Sequence, residues 1–260
     1  MLPNFQTEVS EVTHGAVNIR GYSHEEIMRQ LPFADGAFLT MIGRLPTKAE
    51  ARIVDAILTS LLDHGFVAAT VSAARYIASG NPQFVPAVAG GLLAAGRNTL
   101  SPEHAFEVID RAFELQAAED LTVGQTAAAI VAEYTDRQER IPGFGHPYHK
   151  DHDFRASVLF ELAEELDLSG SAVEMYRAVH AEFVRQSGKT NIPINIDGCL
   201  AALGRDLGLT SDQIVGFALL AVLPGLMAHV SEEIDSRSTL RWIENGEYVG
   251  AELRPLNQET

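Results

Sequence analysis

The side chains best placed for chemistry in this 260-residue chain sit where its helical pattern breaks. His146 lies in Ile141-Pro142-Gly143-Phe144-Gly145-His146-Pro147 and Lys189 in the break from Ser187 to Asn195. Glycine and proline there hold polar groups on short rigid backbone, which is how scaffolds present functional residues. Asp197, in Asn195-Ile196-Asp197-Gly198, reads as the cap of a helix beginning at Gly198. A carboxylate at a helix N-terminus is kept ionised and oriented. Arg155 offers a planar fork that meets a carboxylate at two points. Lys150, four residues after His146, is either a point charge for a phosphate or a solvated surface cation. Arg140 stands just before the first break. His64, between Asp63 and Gly65, fits a ligand contact and a helix C-terminus equally well. His146, His149 and His152 are interleaved with Asp151 and Asp153, but this spacing matches no established zinc pattern, so no metal is expected.

The elements that must position these groups are helices. Alternating β patterns are almost absent, whereas Ile53/Val54, Ile57/Leu58 and Leu61/Leu62 recur with a helical beat. Thr47, with Glu50 three residues on, forms a capping box that opens this helix. A second helix starts at Ser101 with Pro102 in its first position and Phe106, Ile109 and Phe113 on one stripe. Further helices are predicted at about Ala156 to Glu165, Ala172 to Arg185, Gly198 to Leu207 and from Ser211 onward. The longest apolar stretch, Ile214 to Val230, contains Gly216, Pro224, Gly225 and His229 and falls short of the roughly 20 residues that span a bilayer. It reads as a buried helix bent at Pro224. Another break falls at Gly80-Asn81-Pro82, and the last residues, rich in Glu, Pro, Asn and Gln, read as a tail.

Composition narrows the functional classes. A formal net charge of −16 argues against a broad basic surface for nucleic acid or an anionic membrane, so an anionic ligand needs a local basic pocket. The single cysteine, Cys199, excludes an internal disulfide framework, and the N-terminal residues lack the pattern of a signal peptide, so the cytoplasm is expected. No GxSxG elbow, P-loop or GxGxxG fingerprint occurs, which leaves serine hydrolase, nucleotide hydrolase and dinucleotide oxidoreductase readings without support.

Several motifs then follow in a telling order. Arg20-Gly21-Tyr22, Gly43-Arg44-Leu45-Pro46-Thr47, Asp63-His64-Gly65 and Ala73-Ala74-Arg75 come first. Pro142-Gly143-Phe144-Gly145-His146, Asp153-Phe154-Arg155-Ala156, Asn195-Ile196-Asp197-Gly198 and Leu223-Pro224-Gly225 come after. Together they span nearly the whole chain, which resembles the citrate synthase superfamily, and the wording Gly145-His146-Pro147-Tyr148-His149-Lys150 is most similar to its short citryl-CoA lyase-like members. The resemblance implies an all-α fold with a large helical domain (1–104 and 206–260), a smaller one (105–205) and a cleft between them. It implies a homodimer without metal or organic cofactor. It also implies that Asp197 exchanges the proton of the acetyl unit, that His146 polarises a ketone, that His64 and Arg155 bind the 2-oxo acid, and that Lys150 meets a phosphate of a CoA thioester; Lys189 and Arg140 are expected to complete a local basic cluster around Lys150.

The sequence departs from the synthases in three places. Where they carry a histidine for the enol oxygen, the register here gives Ser101, which is also an ordinary helix start; His104 lies a turn further on. Val222 replaces an arginine for a citrate carboxylate, and Arg254-Pro255 only loosely matches the arginine a partner subunit supplies. The expected function is therefore cleavage of citryl-CoA, or a related 3-hydroxy-3-carboxyacyl-CoA, to acetyl-CoA and oxaloacetate or another 2-oxo acid. Condensation in reverse, or a degenerate homologue that binds CoA or a partner, are the alternatives.

Overall fold

The computed structural model describes residues 5–237 and 239–254. Eleven helices follow a small sheet among these residues. The helices run α1 His24–Gln30, α2 Phe33–Ile42, α3 Lys48–Ser60, α4 Ala69–Gly80, α5 Phe84–Leu92, α6 Pro102–Glu119, α7 Val123–Asp136, α8 Phe154–Glu165, α9 Ser171–Ser187, α10 Ile196–Asp206 and α11 Ser211–Asp235. The capping box opens α3, with Thr47 accepting from the Glu50 amide and Glu50 accepting from Thr47 in return. Pro102 is the first residue of α6.

The sheet was not expected. Strands β1 Ser10–Thr13, β2 Ala16–Ile19 and β3 Tyr22–Ser23 form an antiparallel meander with Thr13 opposite Ala16 and Ile19 opposite Tyr22. Two-residue loops, His14-Gly15 and Arg20-Gly21, join them, and both residues of the second have positive φ. An Xaa-Gly pair of this kind is the short-range hairpin signal. It is easily overlooked here because β1 is exposed throughout and shows no buried alternation.

Helix α10 lies at the centre. Eight of its residues, from Ile196 to Gly204, are buried, as expected of a helix apolar on every side, and it packs against α6, α8, α9 and α11. Helix α11 joins two cores. Its first half puts Ile214, Phe217, Ala218 and Ala221 into a large apolar cluster with Phe38, Ile53, Ile57, Ile109 and Leu200. Its second half puts Leu226 and Val230 into a smaller cluster with Val71, Ala74, Ala78 and Ala87. Contrary to the expectation of burial, one side of α11 stays open: Leu219, Leu220, Val222 and Leu223 are only half-buried. By length and composition alone this 25-residue helix could cross a membrane, although it packs against α3, α4, α5 and α6.

Pro224 interrupts α11 between the two cores. The Gly225 amide turns outward and donates to Leu62 O at 2.9 Å, which ties α11 to the segment that carries His64. A side chain at Gly225 would collide with that carbonyl and with Asp63. Overpacking against fixed backbone costs about 1–3 kcal/mol. Gly225→Ala is thus expected to lower stability by that amount in denaturant unfolding, and an unchanged midpoint would show that α11 and the Leu62 carbonyl can separate freely.

Candidate active site

The site begins with two backbone segments pressed together. Gly143, at φ +81°, lies so close to α10 that a side chain on it would strike the Tyr176 hydroxyl and the Gly198 Cα, so only glycine fits. The contact is closed by hydrogen bonds from the Asn195 amide to Gly143 O (2.9 Å), from the Gly145 amide to Pro193 O (2.8 Å) and from Asn195 Nδ2 to Gly145 O (2.7 Å). Tyr176, fully buried on α9, donates to Pro142 O at 2.5 Å. His146 and Asp197, 51 residues apart in sequence, are therefore fixed relative to each other by main chain.

Asp153 and Arg155 form the second anchor. Asp153, 1% exposed, caps α8. Its carboxylate also accepts from Arg155 Nε (2.9 Å) and Nη2 (2.8 Å) and from the Ile196 amide at the start of α10 (3.0 Å). Burial alone would raise the Asp153 pKa, but hydrogen bonding and charge from Arg155 outweigh it and hold the group below the usual carboxylate range. With Nε and Nη2 engaged, Nη1 is the nitrogen Arg155 has left for a ligand.

The hydrogen bonds around His146 decide its tautomer. Nδ1 accepts from the Tyr148 amide (3.1 Å) and the His149 amide (3.0 Å), so the neutral ring carries its proton on Nε2. That nitrogen faces His64 Nε2 at 3.3 Å, which must then accept. Burial, the Arg155 charge and the neighbouring imidazoles push the His146 pKa down to about 4; burial and Arg155 lower that of His64. His146 is thus a neutral donor near pH 7. The rings of His64, His146 and His149 bring one nitrogen each within 4.8 Å of the others. A metal on His146 Nε2 would need the proton moved to Nδ1, against two amide N–H groups, so the cluster suits hydrogen bonding better than ligation.

Asp197 departs from its expected place as a cap. Asn195 is the cap, its side chain accepting from the Gly198 amide at 3.1 Å, and Asp197 is the second residue of α10, free of capping duty. Burial pushes its carboxyl up to about 6, opposed by the Ser101 backbone amide and the Arg155 charge. Its Oδ1 is shielded from solvent without a hydrogen-bond partner. His64, His146, Arg155 and Asp197 line one cavity of about 240 Å³, with Asn98, Thr99 and Val222 completing its wall.

The family model of the citrate synthase C-terminal domain matches residues 29–243. The chain belongs to the citrate synthase family. Its structure is similar to that of the citryl-CoA lyase from Hydrogenobacter thermophilus, at 33% identity, a TM-score of 0.86 and 98% coverage of both chains. Among curated relatives, the citrate synthase of Deinococcus radiodurans is 27% identical over 221 residues, 83% of this chain and 56% of that protein. The chain spans about half the length of the curated relatives it matches. The ATP citrate lyase of Methanothrix soehngenii, solved in complex with citrate and coenzyme A, shares the fold at 18% identity and a TM-score of 0.80, over 97% of this chain and 43% of that one.

In this citrate synthase family member the remaining expected site residues behave differently. Ser101 heads α6, but its hydroxyl makes no capping bond and donates to Arg97 O at 3.2 Å; what it offers the site is its backbone amide, which opposes the rise in the Asp197 pKa. Lys150, Lys189 and Arg140 are exposed and none lines the cavity. His152 lies against Ser157, outside the imidazole cluster. Arg254 is exposed, and Pro255 lies outside the described residues. Asp153 and Asn195 sit in quoted motifs, yet their bracing roles depend on partners distant in sequence. Tyr176 carried no signal, because a tyrosine within a helix reads as core.

His146 and Asp197 act on stability with opposite sign. The depressed pKa of His146 means the unfolded chain takes up a proton below about 6.5 that the folded one refuses until about 4, so this group destabilises as pH falls. The raised pKa of Asp197 means the folded chain takes up a proton below about 6 that the unfolded one refuses until near 4, so this group stabilises over nearly the same range. Asp197→Asn removes the second effect. Denaturant midpoints compared at pH 6.5 and 4.5 should fall further in Asp197→Asn than in the wild type; parallel losses would mean that the Asp197 carboxyl is not raised in the folded chain.

Proposed function

We propose that this protein is a citryl-CoA lyase-type enzyme that cleaves citryl-CoA, or a related 3-hydroxy-3-carboxyacyl-CoA, to acetyl-CoA and a 2-oxo acid by retro-Claisen chemistry. The observation that carries this reading is the convergence of a neutral imidazole donor, His146, and an elevated carboxyl, Asp197, on one cavity with Arg155. The similarity to the Hydrogenobacter thermophilus lyase over essentially the full length of both chains supports it, and the family places it among lyases and acyltransferases.

In the cleavage direction the substrate hydroxyl lies between His64 Nε2, which takes its proton, and His146 Nε2–H, which stabilises the oxygen as it becomes a ketone. The carbon–carbon bond breaks and its electron pair passes to the thioester unit as an enolate. Protonated Asp197 then delivers its proton to the methylene carbon, giving the methyl group of acetyl-CoA. Arg155 Nη1 holds a carboxylate of the 2-oxo acid. Asn98 and Thr99 line the cavity, whereas Ser101 does not, and we assign them to the thioester oxygen. We assign Lys150, Lys189 and Arg140 to the CoA phosphates, and place the enzyme in the cytoplasm as a homodimer needing no metal or organic cofactor.

Condensation is the second reading, favoured by the synthases among the curated relatives. The two directions demand opposite forms of Asp197. Cleavage needs the acid, so its kcat/KM should decline as pH rises through about 6, whereas condensation needs the carboxylate and should decline as pH falls through about 6. Asp197→Asn should lower both by about 10²-fold or more. Wild-type protein that binds acetyl-CoA yet turns over in neither direction would replace the lyase by a CoA-binding homologue.

A further inference from the structure

His149 belongs to none of the roles above, yet its surroundings call for one. Its ring stacks on His146 with centroids 4.5 Å apart and planes 30° from parallel, and Phe154 meets it edge-on. Its backbone amide already serves His146 Nδ1 at 3.0 Å. Its Nε2 is shielded from solvent and has no hydrogen-bond partner, a condition that costs free energy unless something supplies the missing bond. His64 lies across both stacked rings, 5.1 Å from His146 and 5.2 Å from His149. A ligand that separates His64 from His146 therefore uncovers His149 in the same movement.

The demand for donors points the same way. The proposed 2-oxo acid has two carboxylates as oxaloacetate, but Arg155 is the one guanidinium or ammonium group among the described residues lining the cavity, and two of its nitrogens are held by Asp153. The stacked imidazoles of His146 and His149 bring one nitrogen each within 4.8 Å of the other, a separation that two donors to the adjacent oxygens of a 2-oxo or 2-hydroxy carboxylate can bridge: ketone or hydroxyl on one carbon, carboxylate on the next. We propose that His149 is a specificity-determining residue whose Nε2 donates to the carboxylate adjoining the oxygen that His146 polarises, leaving the far carboxylate to Arg155. This rests on the proposed function and identifies the part of the substrate that the stack reads.

The test is calorimetric titration of wild type, His149→Phe and His149→Asn with oxaloacetate and with 3-oxobutanoate, which keeps the ketone and the far carboxylate but lacks the adjoining one. Phenylalanine retains the stack and the backbone amide, and thermal unfolding checks that each variant folds. Wild type should prefer oxaloacetate, and His149→Phe should weaken oxaloacetate by about 10- to 100-fold, the worth of a hydrogen bond to a charged group. Its affinity for 3-oxobutanoate should stay within about twofold, the scale of a neutral contact left in place. His149→Asn, which can still donate, should recover part of the preference. A folded His149→Phe that keeps the full preference for oxaloacetate overturns the assignment while leaving the lyase reading intact. Wild type that binds neither acid, alone or with acetyl-CoA present, overturns the lyase reading and this assignment with it.

Discussion

The close crossing of the Pro142–Gly145 backbone over the first turn of α10 is the constraint on which the site depends. Main chain meets main chain there with no room for a Cβ on Gly143 or Gly198. Two backbone hydrogen bonds and the Asn195 side chain stitch the crossing, and the Tyr176 hydroxyl braces it from α9. A contact of this kind has few soft degrees of freedom, because it is set by peptide geometry rather than by rotamers. The placement of the His146 imidazole relative to the Asp197 carboxyl is therefore built into the backbone.

Electrostatics act on that frame. Asp153, nearly without solvent contact, gathers the Arg155 fork, the cap of α8 and an amide of α10 on one carboxylate. A buried ion pair of this kind contributes little net stability but fixes geometry, since removing either partner leaves an uncompensated charge. Arg155 in turn disfavours charge on His64 and His146 and favours it on Asp197. Burial is the larger cause of the lowered imidazole pKa values, and one guanidinium adds to it while tempering the elevated carboxyl.

The other wall of the cavity is held from α11. His229 accepts from Arg75 through Nδ1 (3.4 Å) and donates from Nε2 to Asp63 (3.1 Å), whose second oxygen accepts from the Gly65 amide. Arg75 also pairs with Glu232 and Glu233. Together with the Gly225 to Leu62 bond, this network sets the turn that carries His64. The charged motif Ala73-Ala74-Arg75 and the run Leu223 to Val230 thus serve the site without lining its chemistry.

The sequence by itself determined the helical architecture, the Thr47–Glu50 capping box, the helix start at Pro102 and the identity of four side chains, His64, His146, Arg155 and Asp197, that line one cavity. Those features are local: a cap, a proline at a first turn and a four-residue apolar beat act over a few neighbours, and the glycines and prolines around His146 mark a rigid loop wherever it ends up. The hairpins at His14-Gly15 and Arg20-Gly21 were equally local, but lay in exposed strands without an apolar face to draw attention to them. Only the tertiary structure decided the rest. The fold gave the cap of α10 to Asn195 rather than to Asp197. The tautomer of His146 rests on two amides of its own loop and on a ring 82 residues away. The elevation of Asp197 arises from burial that no local pattern encodes, and His149 meets the His64 ring only through the fold. Solvent exclusion and charge proximity are sums over the folded chain, so the sequence could name the groups but not their protonation.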